Sequence, residues 1–126
     1  MVPVRPPHRL LASCSPLFLY YAFHLVHAPL EVPKAWLEKF DFIKDSKTRQ
    51  TYHAMVGYMD EVVGNVTSLI EAKGMWPKTL YISSSDNGGP LYAKSGGNNH
   101  PLKGGKVSDW EGGVRVNAWM SGGFLP

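Results

Sequence analysis

Cysteine is nearly absent from this 126-residue sequence. Cys14 stands alone, so no internal disulfide can form and the redox compartment is not written in the chain. A run long enough to cross a bilayer is also missing: Leu17 to Val26 is too short and contains His24, so no membrane span is expected. Arg5 and Arg9 ahead of that run imitate a secretory leader, and Leu11-Ala-Ser-Cys14 imitates a lipoprotein cleavage pattern. Almost no apolar core precedes the cysteine, however, and Pro16 interrupts the apolar stretch on its far side, which favours a buried strand over a targeting segment. Charge of one sign does not accumulate either. The formal net charge is +3, and Lys34, Lys39, Lys44, Lys47 and Arg49 are interspersed with Glu31, Glu38, Asp41 and Asp45. Without a basic stripe, nucleic acid is not an expected partner. A small anionic substrate suits the mild basicity better. No internal repeat, no Gly-x-x-x-x-Gly-Lys-Ser phosphate loop and no Ser-His-Asp arrangement stands out.

What is present suits one small domain or part of a larger one. Hydrophobic residues make up 44% and charged residues 18%, which is not a disordered composition. Residues 1–14 read as an irregular tail or artificial start, and residues 15–126 as the folded part. Leu17-Phe-Leu-Tyr-Tyr-Ala-Phe23 is rich in β-formers and apolar on both faces, as a central parallel strand should be. A short amphipathic stretch follows around Trp36, Leu37 and Phe40. From Thr48 to Lys73, Tyr52, Met55, Val56, Met59, Val62, Val63, Val66, Leu69 and Ile70 recur at helical spacing, and Gly74 supplies a stop. Met55 and Met59 read as core filler. Gly57 and Gly64 share one helix face, which suggests close packing against a sheet. Thr79-Leu-Tyr-Ile-Ser-Ser-Ser85 is a second strand, and Val114 to Met120 a third. Strand, helix, strand implies a right-handed crossover, with His27 and Asp86 at strand ends pointing the same way.

The candidate chemistry sits at those ends. Asp86-Asn-Gly-Gly89 puts two oxygen-bearing side chains beside a tight turn, where α/β sheets collect ligands. Oxygen donors suit a hard cation, calcium or magnesium, although the same four residues also make a plain turn. His24 and His27 lie three apart, yet no third zinc ligand joins them, because His53 faces out from the helix and His100 sits in a loop. His27 is well placed to donate to an anionic oxygen. Eight of the 13 glycines fall between Gly88 and Gly113, in a long loop that offers Lys103 and Lys106 as fixed positive charges for a sulfate or phosphate oxygen. Composition does not choose between the two lysines. Asn65-Val-Thr67 is a possible glycosylation sequon inside the helix.

Five motifs in order carry a family resemblance. They are Pro16-Leu-Phe-Leu-Tyr-Tyr-Ala-Phe-His-Leu-Val-His-Ala-Pro-Leu30, Met55-Val-Gly-Tyr-Met-Asp-Glu-Val-Val-Gly-Asn-Val-Thr67, Ser85-Asp-Asn-Gly-Gly89, Gly97-Asn-Asn-His-Pro-Leu-Lys-Gly-Gly-Lys106 and Trp110-Glu-Gly-Gly-Val-Arg115. Together they resemble a type I, formylglycine-dependent sulfatase, closest to the arylsulfatase B group, from about Ser15 to Trp119. The resemblance implies an alkaline-phosphatase-like α/β fold, a doubly wound sheet with helices on both faces. It implies a sulfuric ester hydrolase acting on a sulfate-ester small molecule or sulfated sugar, with residues 15–126 as part of the catalytic domain. It assigns Asp86 and Asn87 to the calcium ion, and His27 and Lys106, rather than Lys103, to the sulfate. The family's setting suggests the secretory pathway, lysosomal or extracellular.

The departures are equally specific. The Cys-x-Pro-Ser-Arg motif that yields formylglycine is absent, and Cys14-Ser-Pro-Leu-Phe18 does not replace it. The upstream Asp-Asp pair and the Lys-x-His segment are missing too. Half of an active site is therefore expected, inactive or nearly so by itself, and exposed sheet edges should make the chain prone to aggregate. Two further readings remain open from sequence: a non-catalytic shortened paralogue, and a phosphate-ester hydrolase on the same fold.

Overall fold

One long helix organises the chain. In a computed structural model that describes residues 15–91 and 95–126, the elements are α1 (Lys34–Glu38), α2 (Lys47–Ala72), a 3₁₀ turn (Trp76–Lys78), β1 (Tyr81–Ser84), α3 (Glu111–Val114) and β2 (Ala118–Ser121). The tail read at 1–14, Cys14 included, lies outside the described residues.

Helix α2 begins and ends as its sequence dictates. Ser46 is its N-cap, with the hydroxyl accepting from the Arg49 N–H at 3.2 Å. At the other end Gly74 takes φ +66°, a left-handed backbone that costs glycine least. The Gly74 N–H then donates to Glu71 and the Met75 N–H to Ile70, the pairing of a Schellman cap. The buried side of α2 is narrow: Ala54, Met55 and Gln50 are its buried residues. Met55 is core filler as expected, while Met59 is half-buried.

Helix α1 closes over that side. Trp36 packs on Tyr58 with ring centroids 5.6 Å apart. Gln50 donates to the Asp41 carboxylate at 2.7 Å and to the Leu37 carbonyl at 3.4 Å, joining α2 to the end of α1. The close approach expected at Gly57 is real, but its partner is aromatic, not a sheet. A Cβ there would stand 3.0 Å from Phe40 and 3.1 Å from Trp36. Among the described residues nothing lies within 4 Å of the would-be Cβ of Gly64, so the close-packing expectation is not met there.

The strands depart most from expectation. Among the described residues the sheet has two strands, with β1 antiparallel to β2 in the register Tyr81↔Ser121 to Ser84↔Ala118. Tyr81 stacks on Trp119 across the pair at 5.1 Å, and burial raises the Tyr81 phenol pKa above its usual value. The segment Leu17–Phe23 forms no strand, and Leu17, Phe18, Leu19, Tyr20 and Tyr21 are all exposed. A strand is defined by its ladder, and among the described residues this apolar segment finds no neighbour to bond. The parallel crossover is accordingly not formed. Val114 closes the short helix α3 instead of opening a strand, because the Trp110 carbonyl accepts from both Gly113 and Val114. Helices with a small sheet keep the α/β class, with antiparallel rather than parallel pairing.

Candidate functional site

Beyond β1 the chain turns immediately. Asp86 is exposed and Asn87 half-buried. The Gly88 N–H donates to the Gly113 carbonyl at 3.0 Å, which brings α3 against the turn. Backbones touch here: a Cβ on Gly88 would strike the Gly112 carbonyl oxygen. The Gly112 N–H in turn donates to the Lys103 carbonyl at 2.8 Å. Two loop segments, around residues 88 and 104, and helix α3 at Gly112 are thus stacked through main chain. Only glycines tolerate that approach.

The two lysines part company in this frame. Lys103 places its ammonium over the Trp110 ring, 3.7 Å from the centroid. Lys106 is half-buried, donates its N–H to the Gly89 carbonyl at 3.1 Å, and reaches His27. The Lys106 Nζ stands 3.3 Å from His27 Nε2, joining residues 79 apart in sequence. His27 Nδ1 is 2.8 Å from the Ala28 carbonyl oxygen. An ammonium only donates and a carbonyl only accepts. A tautomer with its proton on Nδ1 satisfies both contacts, donating to Ala28 and accepting from Lys106 at Nε2. Of the two lysines, Lys106 approaches His27, while Lys103 lies over Trp110.

Asn99 escaped the sequence reading. Its Oδ1 accepts from the Gly89 N–H at 2.9 Å, and its Nδ2 donates to the Gly89 carbonyl at 2.7 Å and the Gly104 carbonyl at 3.1 Å. One side-chain amide thus reproduces a backbone ladder pair on Gly89 and ties the lysine loop to it. The only sequence signal was an Asn-Asn pair inside a glycine-rich loop, which points equally to a turn. Ser108 adds a second brace, exchanging bonds with Gly105 at 3.0 and 2.7 Å.

The other candidates lie apart from this pair. His24 and His100 are exposed, as is His53 on α2. Asn65 is exposed on α2, and the Thr67 hydroxyl of its sequon donates to the Val63 carbonyl at 2.9 Å. Among the described residues, no hydrogen bond joins Asp86 or Asn87 to His27 or Lys106; the link runs through Gly89. An open cleft of about 510 Å³ lies beside the turn, lined by Tyr52, Asn87, Asn99, His100, Arg115 and others.

A cation finds too few ligands here. Among the described residues no three His, Cys, Asp or Glu side chains converge. Asp86 and Asn87 offer hard oxygens of the right kind, but calcium takes about six to eight. These two residues fit part of such a shell and do not complete one.

The sulfatase family model matches residues 10–126. Arylsulfatase J from Mus musculus is 43% identical over 111 residues, covering 88% of this chain and 18% of that protein. N-acetylgalactosamine-6-sulfatase from Rattus norvegicus is 36% identical over 115 residues, covering 88% of this chain and 21% of the relative. The chain therefore spans about a fifth of the length of these curated relatives. The crystal structure of Ps i-CgsB superposes with a TM-score of 0.73 at 39% identity, over 83% of this chain and 22% of that one. The same protein in complex with k-i-k-neocarrahexaose gives a TM-score of 0.66 at 38% identity, over 76% of this chain and 20% of that one.

Proposed function

The chain belongs to the sulfatase family, and on that premise we propose that it carries the sulfate-contacting part of an arylsulfatase-like sulfuric ester hydrolase. The observation that supports this most is the approach of Lys106 to His27 at 3.3 Å. A lysine ammonium beside an imidazole nitrogen is a pair suited to an oxyanion. An arriving sulfate ester takes the Lys106 donor with one of its non-bridging oxygens, and the fixed positive charge offsets charge that grows during S–O cleavage. His27 Nε2, released from Lys106, faces the ester oxygen, and the Nδ1 bond to Ala28 holds the ring in place. In a complete domain, Nε2 would take a proton from solvent and pass it to the alkoxide or phenoxide oxygen as the S–O bond breaks. Asp86 and Asn87 contribute part of a calcium shell whose remaining oxygens come from elsewhere in a complete domain. The formylglycine nucleophile belongs to a segment this sequence does not contain, so the 126-residue chain binds its ester without turning it over. The substrate class is an aryl sulfate or a sulfated sugar, in line with the names of the arylsulfatase J and N-acetylgalactosamine-6-sulfatase relatives.

Titration of isotope-labelled chain with p-nitrophenyl sulfate tests the reading. Saturable shifts at the His27 ring and Lys106 side chain are expected, and Lys106→Ala should weaken them by about tenfold or more, the worth of a charged hydrogen bond. The absence of saturable shifts at both residues, or shifts that survive both His27→Ala and Lys106→Ala, would overturn it. Tighter binding of p-nitrophenyl phosphate would move the assignment to phosphate esters.

A further inference from the structure

We infer that Asn99 is a positioning residue for Lys106, locking the turn after β1 and the lysine loop into one rigid unit. This rests on the reading of Lys106 as an anion contact. Asn99 is half-buried and spends its amide on Gly89 twice and on Gly104 once. The Gly89 carbonyl that accepts from Asn99 also accepts from the Lys106 N–H at 3.1 Å. The position of the Lys106 backbone is thereby set by the same peptide that follows Asp86 and Asn87. The fit leaves no slack. A Cβ added at Gly105, next to Lys106, would meet Asn99 Nδ2 at 2.8 Å, and one added at Gly89 would meet Asn99 Oδ1 at 3.2 Å. Asn99 touches neither His27 nor the Lys106 ammonium through any hydrogen bond among the described residues. Its effect on anion binding therefore runs through the backbone that presents the lysine. A hydrocarbon side chain would leave the Gly89 N–H without its acceptor and its carbonyl with the Lys106 N–H alone, and the lysine loop would drift from His27.

A double-mutant cycle on the full 126-residue chain tests this, read by p-nitrophenyl sulfate affinity and by the nuclear Overhauser contact between the Lys106 side chain and the His27 ring. Asn99→Ala should weaken the ester about tenfold, the worth of one or two lost hydrogen bonds, and abolish the Lys106–His27 contact. In a Lys106→Ala background, Asn99→Ala should add nothing, because the residue acts only through the lysine. Asn99→Asp, which keeps the acceptor for the Gly89 N–H and loses both donors, should fall between, and it decides the matter if the alanine variant unfolds. An unchanged Lys106–His27 contact in the Asn99 variants, or losses that add fully in the cycle, would overturn the inference. If the unsubstituted chain does not bind the ester at all, the sulfatase reading of the site fails, while the Lys106–His27 contact still decides the role of Asn99.

Discussion

At the scale of single residues, the chemistry gathers where glycine removes the side chains that would keep loops apart. Lys106 reaches His27 because Gly88, Gly105 and Gly112 let two loop segments and helix α3 stack on one another. Asp86 and Asn87 precede the Gly88 turn of the same unit as two oxygen donors, and among the described residues no three His, Cys, Asp or Glu side chains converge. Calcium should consequently bind the purified chain no tighter than about 1 mM, the weak end of protein calcium sites. Isothermal titration checks this, and a saturable site well below that concentration would mean that other residues of the chain complete the shell. His27, Lys106, Asp86 and Asn87 could be named as candidates from the sequence because charged and hard-oxygen side chains announce their chemistry wherever they fall. Asn99 was not legible. An amide that satisfies backbone looks the same in sequence as one that caps a turn, and only the fold brings Gly89 to it.

At the scale of elements, the long helix was legible to within a residue or so, from Lys47 to Ala72 against a reading of Thr48 to Lys73. Its apolar period and Gly74 are local signals, and local signals survive in sequence. What α2 packs against was not local. The glycine pair suggested a sheet, yet Gly57 meets Trp36 and Phe40 of the α1 region, and Gly64 meets nothing among the described residues. The two positions should therefore respond differently to alanine. Gly64→Ala should stabilise α2 by about 1 kcal/mol, the propensity difference between the residues, with no packing cost. At Gly57 the same gain is opposed by contacts of 3.0 to 3.2 Å with aromatic rings that must shift. Amide hydrogen exchange along α2 should slow roughly fivefold for Gly64→Ala and by clearly less for Gly57→Ala. Equal slowing in both would show that α1 yields at no cost. The strand at 17–23 failed for the converse reason: its composition describes a buried central strand, but a ladder needs partners, and composition says nothing of where they are.

At the scale of the whole molecule, the chain spans about a fifth of its curated relatives and leaves apolar surface uncovered. Phe18 and Tyr20 are 91% and 82% exposed, and Ile82 and Met120 form an exposed cross-strand pair on the sheet. Such surface favours association with other chains. The family's α/β class was readable because five motifs fell in order. The antiparallel pairing of β1 with β2 was not, since strand direction depends on which neighbours are present. The central claim is that the fold brings residue 27 to residue 106. The most direct test is a nuclear Overhauser measurement on the unliganded chain, between the ε-methylene protons of Lys106 and the ring protons of His27. A cross-peak to Lys106, with none from Lys103, which rests on Trp110, is the predicted result. A cross-peak from Lys103, or a His27 ring with no lysine neighbour, would contradict the account.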